Sequence, residues 1–151
     1  MRVLRYAAPA LLVAALVFGA AAAPAGAQGG DPFEALRRAT GSPVSVPPRA
    51  LAVIPERHTN GLVRLVDELS SIEPRFDDLA IGAGLNNRIA IQLRTREANI
   101  PIFVSKTDAT ISTVLALRLS SPIEVVGLVV ERGGHYLMLA SDVRVASVRG
   151  R

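Results

Sequence analysis

The chain has 151 residues, half of them hydrophobic, with 4% aromatic and 20% charged side chains, no cysteine, no tryptophan and two histidines. The missing cysteines exclude a disulfide framework, so a folded core must be stable without covalent staples. The formal charge of +4 is a poor argument for a nucleic-acid partner: Arg2 and Arg5 lie in a segment expected to be removed, leaving 15 basic against 13 acidic residues, or +2.

That segment is the N-terminus. "MRVLRY" supplies the positive end, "AAPALLVAALVFGAAAA" an uninterrupted apolar stretch, and Ala25-Gly26-Ala27 the small residues a signal peptidase accepts. Residues 1–27 are therefore expected to be a cleaved signal peptide with Gln28 as the mature N-terminus, and the protein exported to a periplasm or the medium. An uncleaved anchor is the alternative, although the stretch is short for a span, contains Pro9, is followed at once by Pro24, and has no second hydrophobic segment after it. The two arginines are not adjacent, so no twin-arginine route is suggested, and without cysteine there is no lipid-attachment site.

Residues 28–57 carry prolines at 32, 43, 47, 48 and 55 and no sustained apolar period. Proline removes amide donors and biases the preceding residue towards extended backbone, so this reads as a flexible arm or linker lying on the domain. Within it, "PFEALRRA" can form a helical turn with Phe33 and Leu36 on one side, too brief to be stable alone.

The folded unit is expected over 58–149. In "HTNGLVRLVDELSSIEP", Leu62, Leu65, Val66, Leu69 and Ile72 recur at helical spacing, with Thr59 or Asn60 as a cap and Pro74 as a stop, which predicts an amphipathic helix. "DDLAIGAGL" alternates Leu79, Ile81, Ala83 and Leu85 and predicts a strand. "NRIAIQLRTR" predicts a second, with Ile89, Ile91 and Leu93 inward and Arg88, Gln92, Arg94 and Arg96 mainly outward. Glu97-Ala98-Asn99 makes a turn and "IPIFVSK" a third strand. "TDATISTVLALRL" then switches to a helical period, capped by Thr107 or Asp108, with Ile111, Val114, Leu115 and Leu117 or Arg118 at helical offsets. The chain closes with a hairpin, "IEVVGLVVER" and "HYLMLASDVRV" around Gly133-Gly134, with Val125, Val129, Leu137 and Leu139 expected inward.

The order helix, three strands, helix, two strands resembles the OB-fold, a five-stranded Greek-key barrel that binds oligonucleotides and oligosaccharides. The resemblance covers roughly residues 60 to 146, includes a glycine amid strand residues in both "LAIGAGL" and "IEVVGLV", and is similar to the helix-preceded, tRNA-anticodon-like form. It implies a mainly β barrel with helices. Closing the final hairpin onto the sheet removes open edges that invite pairing with other chains, and Gly127 is where the strand can coil tightly.

Such barrels bind on the face of their second and third strands, with aromatics for stacking interleaved with cations. Here that face offers Arg88, Gln92, Arg94 and Arg96, with Phe103 or Tyr136 as a lone aromatic and Lys106 and Arg144 as extensions. These are the candidate ligand-binding residues, against the plainer reading of a solvated arginine face over a core Phe103. Catalytic residues are not expected. His58 and His135 are far apart in sequence and beside no nucleophile, Ser70-Ser71 and Ser120-Ser121 terminate helices, no G-x-S-x-G occurs, and "GAG" at 82–84 lacks dinucleotide spacing. Asp77-Asp78 lack the spaced donors of a calcium loop, so neither metal nor cofactor is expected. Two classes of function follow: an exported, non-enzymatic module contacting an envelope protein or extracellular polymer, or a binder of single-stranded nucleic acid or anionic polysaccharide through its arginines.

Overall fold

The computed structural model describes residues 30–147; the expected signal peptide and its cleavage point lie outside them. Among the described residues no helix is long and apolar enough to cross a membrane. Glu34–Arg38 (α1), Val44–Ser45 (β1), Pro48–Val53 (α2) and a 3-10 turn at Pro55–His58 precede the long strand Leu62–Glu73 (β2). Then follow Asp78–Gly82 (α3), Ala90–Thr95 (β3), Ile102–Ser105 (β4), Asp108–Ala116 (α4), Pro122–Arg132 (β5) and His135–Val145 (β6).

β2 pairs antiparallel with both β3 and β5, β3 with β4, and β5 with β6, while β4 and β6 run parallel, so the five long strands close in the ring β2-β3-β4-β6-β5. A meander of three strands, a crossover through α4 and a final hairpin is the OB-fold barrel. β1 adds to β2 in parallel through Val44↔Val63 and Ser45↔Arg64.

The strand β2 serves its two neighbours in the ring by bending. Leu62 to Glu68 pair with β5, Leu69 to Glu73 pair with β3, and a bulge between Leu69 and Ser71 turns the strand from one to the other. The helix expected over 62–72 is therefore this strand. Val63, Leu65, Asp67 and Leu69 all point inward and are buried, a two-residue period that the carboxylate of Asp67 disguises. Conversely, the strand expected over 79–85 is α3: the Asp77 side chain accepts the Ala80 amide at 2.8 Å as an N-cap, and Gly84, at φ +81, ends the helix where a β-carbon would be strained. Start and stop residues outweigh the alternation between them.

The turn at Glu97–Asn99 and the strand β4 fall where expected, and α4 begins with a reciprocal cap. The Thr110 amide donates to Thr107 Oγ1 at 3.2 Å, and the Thr107 amide to Thr110 Oγ1 at 2.8 Å. Val114 and Leu117 of this segment join the barrel core, whereas Leu115 is 80% exposed rather than inward.

In the hairpin, Gly133 and Gly134 both have positive φ, +57 and +79, the conformation of a two-residue turn matched to strand twist. That turn sets the register Arg132↔His135, hence Val129↔Met138 and Gly127↔Ala140. Val125 and Val129 are inward as expected. Leu137 and Leu139 are buried but on the outside of the barrel, because Met138 and Ala140 share the inner face with Val129.

Candidate ligand-binding face

Two apolar layers follow from that register. The inner one fills the barrel with Val63, Leu65, Leu93, Ile102, Val125, Met138 and their neighbours, with Leu51 of α2 joining it. The outer one lies across β3, β4, β6 and β5, where Ala90, Phe103, Leu139, Leu137 and Val130 form one buried surface. A strand such as β6, buried on both sides, reads as a continuous apolar run, and "YLML" is one.

The chain itself covers this outer surface. Phe76, from the β2–β3 connection, packs on Phe103 with ring centroids 5.4 Å apart and planes inclined at 52°. α3 adds Ala80 and the turn after it Leu85, and α1 lies against β5 and β6 with Phe33 and Leu36 inserted. The β5–β6 tip meets the same connection: a β-carbon on Gly133 would stand 3.7 Å from Leu79 Cδ1. These two loops and the face between them are where OB-folds take ligands.

The attachment of α1 differs from that of the rest. Its backbone hydrogen bonds stay within its own turn: Glu34 to Asp31, Arg37 to Phe33 and Ala39 to Leu36. Two side chains therefore dock it. Burying a Phe and a Leu yields about 1.5–3 kcal/mol each, of the same size as the roughly 1–2 kcal/mol per residue that ordering a short backbone costs. A hollow of about 520 Å³ flanks it between Asp31, Glu34, Arg38, Ala83 and Arg132. A second, of about 340 Å³, opens at the far end of α1 between Ala35, Thr40, Thr59, Asn60 and Leu128.

At its start, Asp31 Oδ1 accepts the Phe33 amide at 2.8 Å and Oδ2 pairs with Arg37 Nη1 at 2.8 Å. The Phe33 amide first, and the guanidinium second, hold the Asp31 carboxyl below the usual carboxylate range. Arg38 pairs with Glu34 one turn back.

The residues that the sequence singled out for binding are divided by the structure. Phe103 is 1% exposed beneath Phe76, and Gln92, expected outward to solvent, is 3% exposed in the row Glu73–Gln92–Phe103. The reason is the same for both: their face is roofed by chain that the sequence reading placed elsewhere. Arg94 is half-buried beside Ser71, Arg96 is exposed with Nη1 3.3 Å from Glu68 Oε2, and Arg88 is exposed ahead of β3. Lys106 stands by Arg88, its Nζ donating to the Asn87 carbonyl at 2.8 Å. Arg88 lies in the turn before β3 and Arg94 towards the strand's far end, so the two are not side by side.

Arg144 does not extend this set. It lies on β6 beside β5, donating to Glu124 Oε1 at 2.6 Å, and that carboxylate holds its guanidinium above the ordinary range. Arg64 Nε stands 3.3 Å from the same oxygen, an ion pair without hydrogen-bond geometry. Tyr136 is half-buried against the barrel core, and desolvation, with Glu131 and Glu56 nearby, raises its phenol above the ordinary value. His58 is half-buried in the 3-10 turn and His135 exposed at the start of β6. Among the described residues no three His, Asp or Glu side chains are grouped as metal ligands would be.

What the sequence reading missed is the apolar outer face and its occupant. The two-residue glycine turn carried the signal, since it places Leu137 opposite Val130 and Leu139 opposite Leu128.

No protein-family description matches the sequence, and no curated protein matches it. Solved structures do resemble the fold. One is a replication protein A heterotrimer bound to single-stranded DNA, at TM-score 0.41 and 10% identity over 57% of this chain and 57% of that one. Another is Entamoeba histolytica asparaginyl-tRNA synthetase in complex with asparaginyl-adenylate, at TM-score 0.47 and 13% identity over 69% of this chain. The chain spans only 24% of the synthetase. An OBody bound to hen egg-white lysozyme has TM-score 0.45 and 13% identity over 64% of this chain and 89% of that one. The fold assignment rests on the chain's own strand order rather than on these likenesses.

Proposed function

We propose that this chain is an exported, non-catalytic OB-fold module that binds a protein partner in the envelope or outside the cell. The observation that carries the reading is the chemistry of the outer face: Ala90, Phe103, Val130, Leu137 and Leu139 present apolar surface, and no cation lies among them. Stacking of bases needs exposed rings beside cations, and none of Phe33, Phe76, Phe103 and Tyr136 is exposed. An apolar face under a helix suits protein side chains. Export rests on the positive and apolar N-terminal segment and on Ala25-Gly26-Ala27.

A nucleic-acid or anionic-polysaccharide reading has one observation in its favour: Arg88 and Arg94 have no carboxylate within ion-pair distance among the described residues. Fluorescence anisotropy of a labelled single-stranded oligonucleotide, at low and at physiological salt, separates the two. The protein-binding reading expects no binding at either salt. Salt-sensitive binding that is lost in a folded Arg88→Ala, Arg94→Ala variant replaces it with the polymer-binding one. Export is checked by sequencing the N-terminus of the secreted chain, expected to begin at Gln28.

A further inference from the structure

The helix α1 occupies the face of the barrel on which a partner would bind, and it does so as a partner would. Phe33 is 3% and Leu36 8% exposed, three positions apart on one side of a helical turn, with their contacts on the outer surface of β5 and β6. Among the described residues no backbone hydrogen bond joins α1 to the barrel. Two hollows adjoin the helix, both reaching Ala35 and Arg38, while the apolar face itself is buried beneath it. A short tether, residues 39–43, links it to β1, and within it Gly41 has φ +104.

We infer that α1 is an exchangeable occupant of this face, and that the face receives from a protein partner a short amphipathic helix with an aromatic residue at one position and a leucine-like residue three later. This rests on the reading of the chain as a protein-binding module and names the chemistry of its ligand. The resident segment "DPFEALRRA" shows what fits. Its two apolar anchors at this spacing are the helix-in-groove mode of recognition. Glu34 in its first turn and Asp31 just before it pair within the segment, with Arg38 and Arg37 respectively, so the resident helix meets its own charge needs and docks through its two apolar side chains. The tethered α1 competes with that partner at high effective concentration and lowers its apparent affinity by the fraction of time the face is open.

The probe is a labelled peptide of residues 31–41, titrated by anisotropy against the exported chain and against its Phe33→Ala, Leu36→Ala variant. Vacating the face is expected to tighten peptide binding by about tenfold or more, while a peptide carrying the same two substitutions does not bind. A folded variant that binds no tighter than the parent chain overturns the inference. Should the variant unfold, hydrogen exchange on the parent chain decides: exchange of the 34–38 amides far ahead of the β2 and β5 amides supports it, and equal protection overturns it. A concentration-dependent dimer of the parent chain, abolished by the Phe33→Ala, Leu36→Ala substitutions, reassigns the occupant to a second copy and overturns the partner assignment. Failure of the broader reading is separate: it appears as salt-sensitive oligonucleotide binding, whatever the peptide does.

Discussion

The buried carboxylate of Asp67 accepts the backbone amide of Ala98 at 3.0 Å, joining β2 to the β3–β4 turn across 31 positions of sequence. The same oxygen accepts the Glu97 amide at 2.9 Å, and the other accepts the Glu68 amide at 2.7 Å. Asn99 follows at φ +53, so the carboxylate holds a turn whose amides have left the strand ladder.

Asp67→Ala should therefore cost about 2–3 kcal/mol, because two amides at a buried turn lose a charged acceptor. Asp67→Asn, which keeps one acceptor oxygen, should cost less. Urea unfolding followed by circular dichroism orders the two variants, and equal stability of Asp67→Ala and the parent chain would contradict this role.

Gly127 tests barrel closure. A β-carbon there would sit 2.8 Å from Ala140 Cα and closer still to the Leu139 carbonyl oxygen, at a bulge in the β5–β6 ladder. Backbone cannot give way as a flexible side chain does, so Gly127→Ala should destabilise by about 3 kcal/mol or more. The shift in urea midpoint measures it, and Gly82→Ala, with open space around the site, is the control.

The cap of α4 is a smaller test. Thr107→Ala removes the oxygen that accepts the Thr110 amide and should cost about 1 kcal/mol. Thr107→Ser should restore most of it, as read from thermal midpoints.

Acid should loosen α1 before the barrel. Asp31 has a folded-state pKa below its ordinary value, so its contribution is complete above the unfolded-state pKa and is lost as pH falls through the folded one. The Phe33 amide resonance, followed by NMR, should shift with a midpoint below the usual aspartate range, and Asp31→Asn should abolish that titration. Unchanged Phe33 shifts down to the pH of global unfolding would contradict the coupling.

How much of this could be read from the residues depends on which force sets each element. The Thr107 cap, the Gly133-Gly134 turn and the β-branched runs of β5 are local signals, and the elements they define stand where expected. β2 was misread because the inward position that breaks its alternation, Asp67, is satisfied by amides thirty residues away, which no local pattern reveals. α3 was misread because four alternating apolar residues are fewer than a strand needs to outweigh a cap and a glycine stop. The two errors exchanged one helix for one strand, so the five-strand count survived them. For the candidate site, the exposed positions of Arg88 and Arg96 were legible, whereas the burial of Gln92 and Phe103 was not.

By itself the sequence determined the class of fold: its turns, caps and apolar periods are short-range properties of the chain, and together they admit five strands, a crossover helix and a closing hairpin. Only the tertiary structure decided which surface lies open. The outer face of β4, β6 and β5 is covered by α1 and by the β2–β3 connection, segments remote in sequence whose Phe33, Leu36, Phe76, Ala80 and Leu85 reach it by side-chain burial. Burial of that kind is non-directional and depends on what the closed barrel leaves exposed, so no local pattern contains it.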